Sequence, residues 1–145
     1  MTNEKAKDLK ATSPIPMIRL QKDIDELFAK RKSLVRSGNQ TRSLSSIYHL
    51  RTIEENGDPL LFLLHAPKKF IKQAHERNKL KRWMREAIRK NEEIEKIKGI
   101  VAEKNMQVLL LVRADFRPSK EHGWQQTEDD IRIITKHLIK KLHSS

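Results

Sequence analysis

The longest apolar runs in this chain, residues 60–64 and 108–112, are five residues each, and their length constrains the fold more than any other feature. A membrane-spanning helix needs about 20 apolar residues, whereas five suit a strand buried in a small sheet. Residues 60–65 read as one compact strand and 107–113 as a second, buried one. Residues 45–53, with Ile47 and Tyr48, form a further strand-like run. Between 45–53 and 60–65 lies the turn Glu55-Asn56-Gly57-Asp58-Pro59, so these two strands are expected to pair as a hairpin.

Elsewhere the apolar residues recur at helical spacing. Leu20, Ile24, Leu27 and Phe28 predict an amphipathic helix over about 22–32, ended by the loop Ser37, Gly38, Asn39 and Gln40. Ile94, Ile97 and Val101 predict another over 91–104, interrupted by Gly99; its acidic start, Glu92, Glu93 and Glu95, disfavours nucleic acid there. Residues 116–126 read as a loop holding Pro118, Gly123 and Trp124. Thr127 then caps a last helix, with Glu128, Asp129 and Asp130 in its first turn and Lys136, Lys140 and Lys141 near its end, as the helix dipole favours. Ile131, Ile134, Leu138 and Leu142 face the core. Residues 1–14 are polar without periodicity and are expected to be a mobile tail. Residues 15–145 are expected to be a single domain, large enough for one core. The order helix, strand, strand, helix, strand, helix predicts an α+β, two-layer sandwich of helices on a small sheet.

One segment carries most of the charge. Residues 68–90 hold ten Lys or Arg against Glu76 and Glu86, a net +8 of the chain's +12. Such clustered self-repulsion is relieved by a polyanion, and counterion release from phosphates makes nucleic acid the first reading. On a helix, Leu80, Trp83, Met84, Ala87 and Ile88 form one apolar stripe. Arg77, Lys81, Arg85 and Arg89 form a row beside it, about 6 Å apart, with Asn78 and Arg82 on the next row round. A solvated face usually mixes signs at this spacing, and here only Glu86 offsets the row. Lys68, Lys69, Lys72 and Lys79 extend the same patch, while Trp83, in the stripe, reads as structural.

The string APKKFIKQAHERNKLKR followed by WMREAIR resembles the signature of the bacterial ribonuclease P protein family. In that family a strand ends in Ser-Lys-Lys, and a helix begins Arg-Asn-Arg and continues through Lys-Arg to Arg-Glu-Ala. Lys68, Lys69, Ala74, Arg77, Asn78, Lys81, Arg82, Arg85, Glu86 and Ala87 match, whereas Pro67, His75 and Lys79 depart. Lys79 keeps the charge of the usual Arg without its planar fork. The resemblance implies a ribosomal-protein-S5-domain-2-like fold with a left-handed βαβ crossover. It further implies a catalytic RNA partner lying against Arg77, Asn78, Lys81 and Arg85, precursor tRNA as substrate, and a cleft between the first helix and the sheet that holds the 5′ leader. The family's leader contacts, two Phe one helical turn apart and a strand Tyr, map onto Ile24, Phe28 and Tyr48. Ile24 removes one stacking surface. Phe28 is equally readable as core, and Tyr48 as an ordinary half-buried aromatic.

Catalytic constellations are not evident in the sequence. The six His residues lack ligand spacing, the four Gly build no phosphate loop, and the absence of Cys removes thiolate chemistry and fits a reducing compartment such as the cytoplasm. The chain itself is therefore expected to cleave nothing and to bind no cofactor, and no membrane or protein partner is expected; the resemblance implies that hydrolysis and its Mg2+ belong to the RNA. The competing classes are a ribosomal or general structured-RNA-binding protein, a DNA-binding regulator and, more distantly, a stand-alone nuclease.

Overall fold

Six consecutive residues, Gln107 to Val112, are buried, so the strand that carries them is covered on both faces and belongs inside its sheet. The computed structural model describes residues 15–30, 34–37, 43–117 and 123–144. Its elements run α1 (Gln21–Ala29), β1 (Val35–Arg36), β2 (Ser45–Thr52), β3 (Leu60–His65), α2 (Ala74–Lys90), α3 (Glu93–Glu103), β4 (Met106–Arg113) and α4 (Trp124–Ser144). The sheet order is β1-β2-β4-β3. The architecture is the expected α+β sandwich on a small mixed sheet.

The expected hairpin does not form. β2 pairs antiparallel with β4, Tyr48 opposite Leu110, and β3 pairs parallel with β4, Phe62 opposite Leu110. The local turn is present, with Gly57 N–H donating to Glu54 O and Asn56 at φ 63°. The connection nonetheless spans a whole strand, because β4 is apolar on both sides and takes the interior position. Residues 53–59 are ample for the roughly 10 Å between alternate strands. The parallel β3–β4 pair requires a crossover, which α2 and α3 supply.

Strand alternation divides the interior in two. Leu60, Phe62, Leu64, Val108, Leu110 and Val112 point to one face and pack with α2, α3 and α4 in the main core. Leu109 and Leu111 point to the other and meet Ile18 and Leu27 of the α1 side, with Ile47, Leu61 and Leu63 around them. The three long helices thus form one layer, and among the described residues α1 is the one helix on the second face.

Boundaries shifted where side chains overrode local signals. α1 ends at Ala29, and Leu20, expected in its stripe, is 56% exposed just before the helix. Gly99 does not interrupt α3, where Ile94, Ile97 and Val101 are buried as expected. The tail at 1–14, most of the loop at 37–40 and part of that at 116–126 lie outside the described residues.

α4 starts at Trp124, three residues before the expected cap, so Thr127 is a buried helical residue and Asp130 is not in the first turn. Asp130 is instead fully buried. Its carboxylate accepts hydrogen bonds from Leu44 N–H at 3.0 Å and Gln126 Nε2 at 2.8 Å, which tethers α4 to the start of β2. Asp130→Ala is expected to lower unfolding free energy by about 1–3 kcal/mol, because it strands a buried N–H. Urea denaturation with no shift in midpoint would remove this role.

Candidate nucleic-acid interface

Leu80, Met84, Ala87 and Ile88 of α2 are buried, and together they fix the rotation of the helix. With that stripe held, Asn78, Lys79 and Arg82 are exposed and Lys81 and Arg85 half-exposed. Trp83 is half-buried against the main core, as expected, and its ring carries Lys79 Nζ at 4.7 Å. Ahead of the helix, Pro67 O accepts the N–H groups of Phe70 and Ile71 at 3.1 and 3.0 Å. That turn, anchored by buried Ala66 and Ile71, projects Lys68 and Lys69 outward. Lys72 is exposed on the same loop.

The cations are not neutralised from within. Among the described residues, Arg89 pairs with Glu86 in its own helix, while no carboxylate lies within ion-pair distance of Lys68, Lys69, Lys72, Lys79, Lys81, Arg82 or Arg85. Arg77 differs from its row. Its Nη1 donates to Ile71 O at 2.8 Å and Lys72 O at 2.9 Å, so it closes the lysine loop onto the helix.

The second face holds the other expected residues, but not all together. Ile24 packs at the edge of the α1-side cluster, and Phe28 meets His65 edge-on, ring centroids 5.3 Å apart at 88°. Tyr48 does not join them. It lies against the main core on the opposite face, because Ile47 points to α1 and side chains alternate along a strand. The β2 residues beneath α1 are Ile47, His49 and Arg51, and β3 and β4 contribute His65 and Arg113 through their register. None of His49, Arg51, His65 or Arg113 was selected from sequence. The parity of β2 and β3 was the available signal.

His65 sits where the two surfaces meet. Burial, then the charges of Arg113 and Lys81, hold its pKa below the usual imidazole value. His49 is likewise lowered by burial and by Lys30, opposed by Glu26, whose carboxylate is 3.5 Å from its Nε2. The Nδ1 atoms of both imidazoles and Arg113 Nε are buried without a hydrogen-bond partner. Both imidazoles are therefore neutral near pH 7, and the charge around His65 comes from Arg113 and Lys81 while that around His49 comes from Lys30, Glu26, Arg51 and Asp23. The unfolded chain takes up the protons first, so the stability that rests on neutral His is complete above about pH 6.5 and is lost as pH falls through the lowered folded values. Thermal midpoints are expected to hold from about pH 8 to 7 and to fall as pH drops below about 6.5, and His65→Gln should flatten part of that fall. An equally steep fall in the variant would remove His65 from the account.

Among the described residues no group of three or more His, Cys, Asp or Glu converges as a metal site, and no helix is long and apolar enough to cross a membrane. A family model described as Ribonuclease P matches residues 18–139, a span running from the start of the α1 side through the sheet and α2 into α4. Comparison with curated proteins gave no match, and comparison with solved structures gave none.

Proposed function

The chain belongs to the Ribonuclease P family, and from that premise we propose that it binds the catalytic RNA of ribonuclease P through α2 and the lysine loop, and the 5′ leader of precursor tRNA on the α1 face. The observation that carries this reading is the cation-dominated outer surface of α2, rotationally fixed by its buried stripe, on which Lys79, Lys81, Arg82 and Arg85 have no ion pair among the described residues. An unpaired, rigid row of cations gains most from phosphates, whose counterions it releases. Lys68, Lys69 and Lys72 extend the contact, Asn78 adds a polar one at the helix start, and Arg77 holds the loop that presents the lysines.

In this account the protein binds and positions, and the RNA cleaves, promoting tRNA 5′-end maturation in the cytoplasm. The cationic surface does not fit a metal ion, so Mg2+ is assigned to the phosphates of the RNA. The leader is assigned to the half-exposed Phe28 and His65 pair, aromatic rings being the side chains on which bases stack with little sequence preference. Tyr48 has no place in that contact, since it faces the other way.

Competition binding tests the reading. Labelled ribonuclease P RNA held by the chain should resist displacement by equal phosphate concentrations of a ribosomal RNA fragment or of duplex DNA. Equal displacement by the ribosomal fragment would indicate a general structured-RNA binder, and displacement by the duplex a DNA-binding protein.

A further inference from the structure

α1 is nine residues long, has no side-chain cap at Leu20, and fully buries only Asp23 and Leu27. A helix so short is marginal by itself, so its height and angle over the sheet are set by those two anchors. Leu27 supplies non-directional burial. Asp23 supplies direction, although a carboxylate 2% exposed is costly unless its partners are well placed.

Those partners form a relay. Arg51 Nη1 and Nη2 donate to the two carboxylate oxygens of Asp23 at 2.6 and 3.2 Å, a bidentate fork that fixes both separation and orientation. The same guanidinium donates from Nε to Gln107 Oε1 at 2.8 Å, and Gln107 Nε2 donates to Asp58 O at 2.7 Å. Four pieces of chain are thereby locked to one another: α1, β2, β4 and the β2–β3 connection. The Arg51 hydrogen bonds hold the Asp23 pKa below its ordinary value against the opposing effect of burial, so the pair is ionised at neutral pH.

The relay lies at one end of the α1 face, where Asp23, Arg51 and Gln107 help line a cleft of about 420 Å³ with Met17, Leu20 and Leu61. Phe28, five residues along the helix, meets His65 at the other end. Mere stability does not call for charge here, because apolar side chains of similar volume commonly replace a buried ion pair without loss. A bidentate fork adds a defined geometry that apolar packing lacks.

We propose that Asp23, Arg51 and Gln107 are positioning residues that set the spacing between α1 and the sheet, and through it the affinity of the assembled enzyme for the single-stranded 5′ leader. This rests on the leader reading above. The residues need not touch the leader, since they act through α1 and the Phe28–His65 contact.

The test uses enzyme reconstituted from the full chain and a ribonuclease P RNA, and compares affinity for precursor tRNA with that for mature tRNA lacking a leader. Wild type should favour the precursor by about tenfold or more, the equivalent of about one stacked base. Asp23→Leu combined with Arg51→Met should remain folded, bind the catalytic RNA as wild type does, and lose most of that preference. Arg51→Lys, which keeps charge but not the fork, should lose it as well. A folded double variant with an undiminished preference would overturn the positioning role. Should the double variant fail to fold, Arg51→Lys decides: retained preference overturns the proposal, and loss with unchanged thermal midpoint supports it. Absence of any leader preference in wild type would instead overturn the leader reading itself.

Discussion

Replacing Lys81, Arg82 and Arg85 together by Ala is expected to weaken binding to the catalytic RNA by about a hundredfold at moderate salt and to flatten the salt slope by about two to three units. The three face outward from a helix whose buried stripe is untouched by the change, and Ala favours helix, so the loss reports on contact and not on folding. Because protein cations stand in for other counterions along the RNA, the variant should also need more magnesium for precursor processing. Arg77 is left out deliberately. Its guanidinium is hydrogen-bonded to Ile71 O and Lys72 O, and its removal would mix loop disorder with lost charge. An unchanged salt slope would show that phosphates do not meet this face.

Phe62→Ala should cost about 3–5 kcal/mol, a large part of the stability of an ordinary domain. Phe62 is 1% exposed in the main core, opposite Leu110 of the interior strand. Its backbone is also committed, N–H to Pro16 O at 3.0 Å and C=O to Ile18 N–H at 2.8 Å. The deleted ring leaves a cavity that a doubly bonded strand cannot close by moving. Urea denaturation monitored by circular dichroism should show the midpoint falling with little change in slope. A loss under about 1 kcal/mol would mean that the site collapses freely, contrary to the constraint described here.

Features set by local periodicity were legible in the sequence. The buried stripe Leu80, Met84, Ala87 and Ile88 and the cations beside it follow from 3.6-residue spacing alone, as do Ile131, Ile134, Leu138 and Leu142 in α4. Features set by strand partners were not. The turn before β3 is real, yet whether a turn joins neighbours or steps over a strand depends on a third segment, β4, that lies more than forty residues later. Placement of Tyr48 failed for a related reason: alternation assigns it a face only after Ile47 is known to lie under α1. Residue type alone suggests a dipole partner for Asp130 and a phosphate contact for Arg77. It cannot show that Asp130 accepts from the N–H of Leu44, eighty-six positions away, as well as from Gln126, or that Arg77 Nη1 also holds two carbonyls of the preceding loop. The Asp23–Arg51 fork was invisible for the same cause, since nothing local marks one surface-like carboxylate as the anchor of a helix.

The central claim is that this chain lends cations and a groove while the RNA breaks the bond, and processing of precursor tRNA at low magnesium tests it most directly. Three samples suffice: ribonuclease P RNA alone, the same RNA with the chain, and the chain alone. The account predicts slow leader removal in the first, marked acceleration in the second and none in the third. Leader removal by the chain alone, or an RNA rate that the chain leaves unchanged, would contradict it.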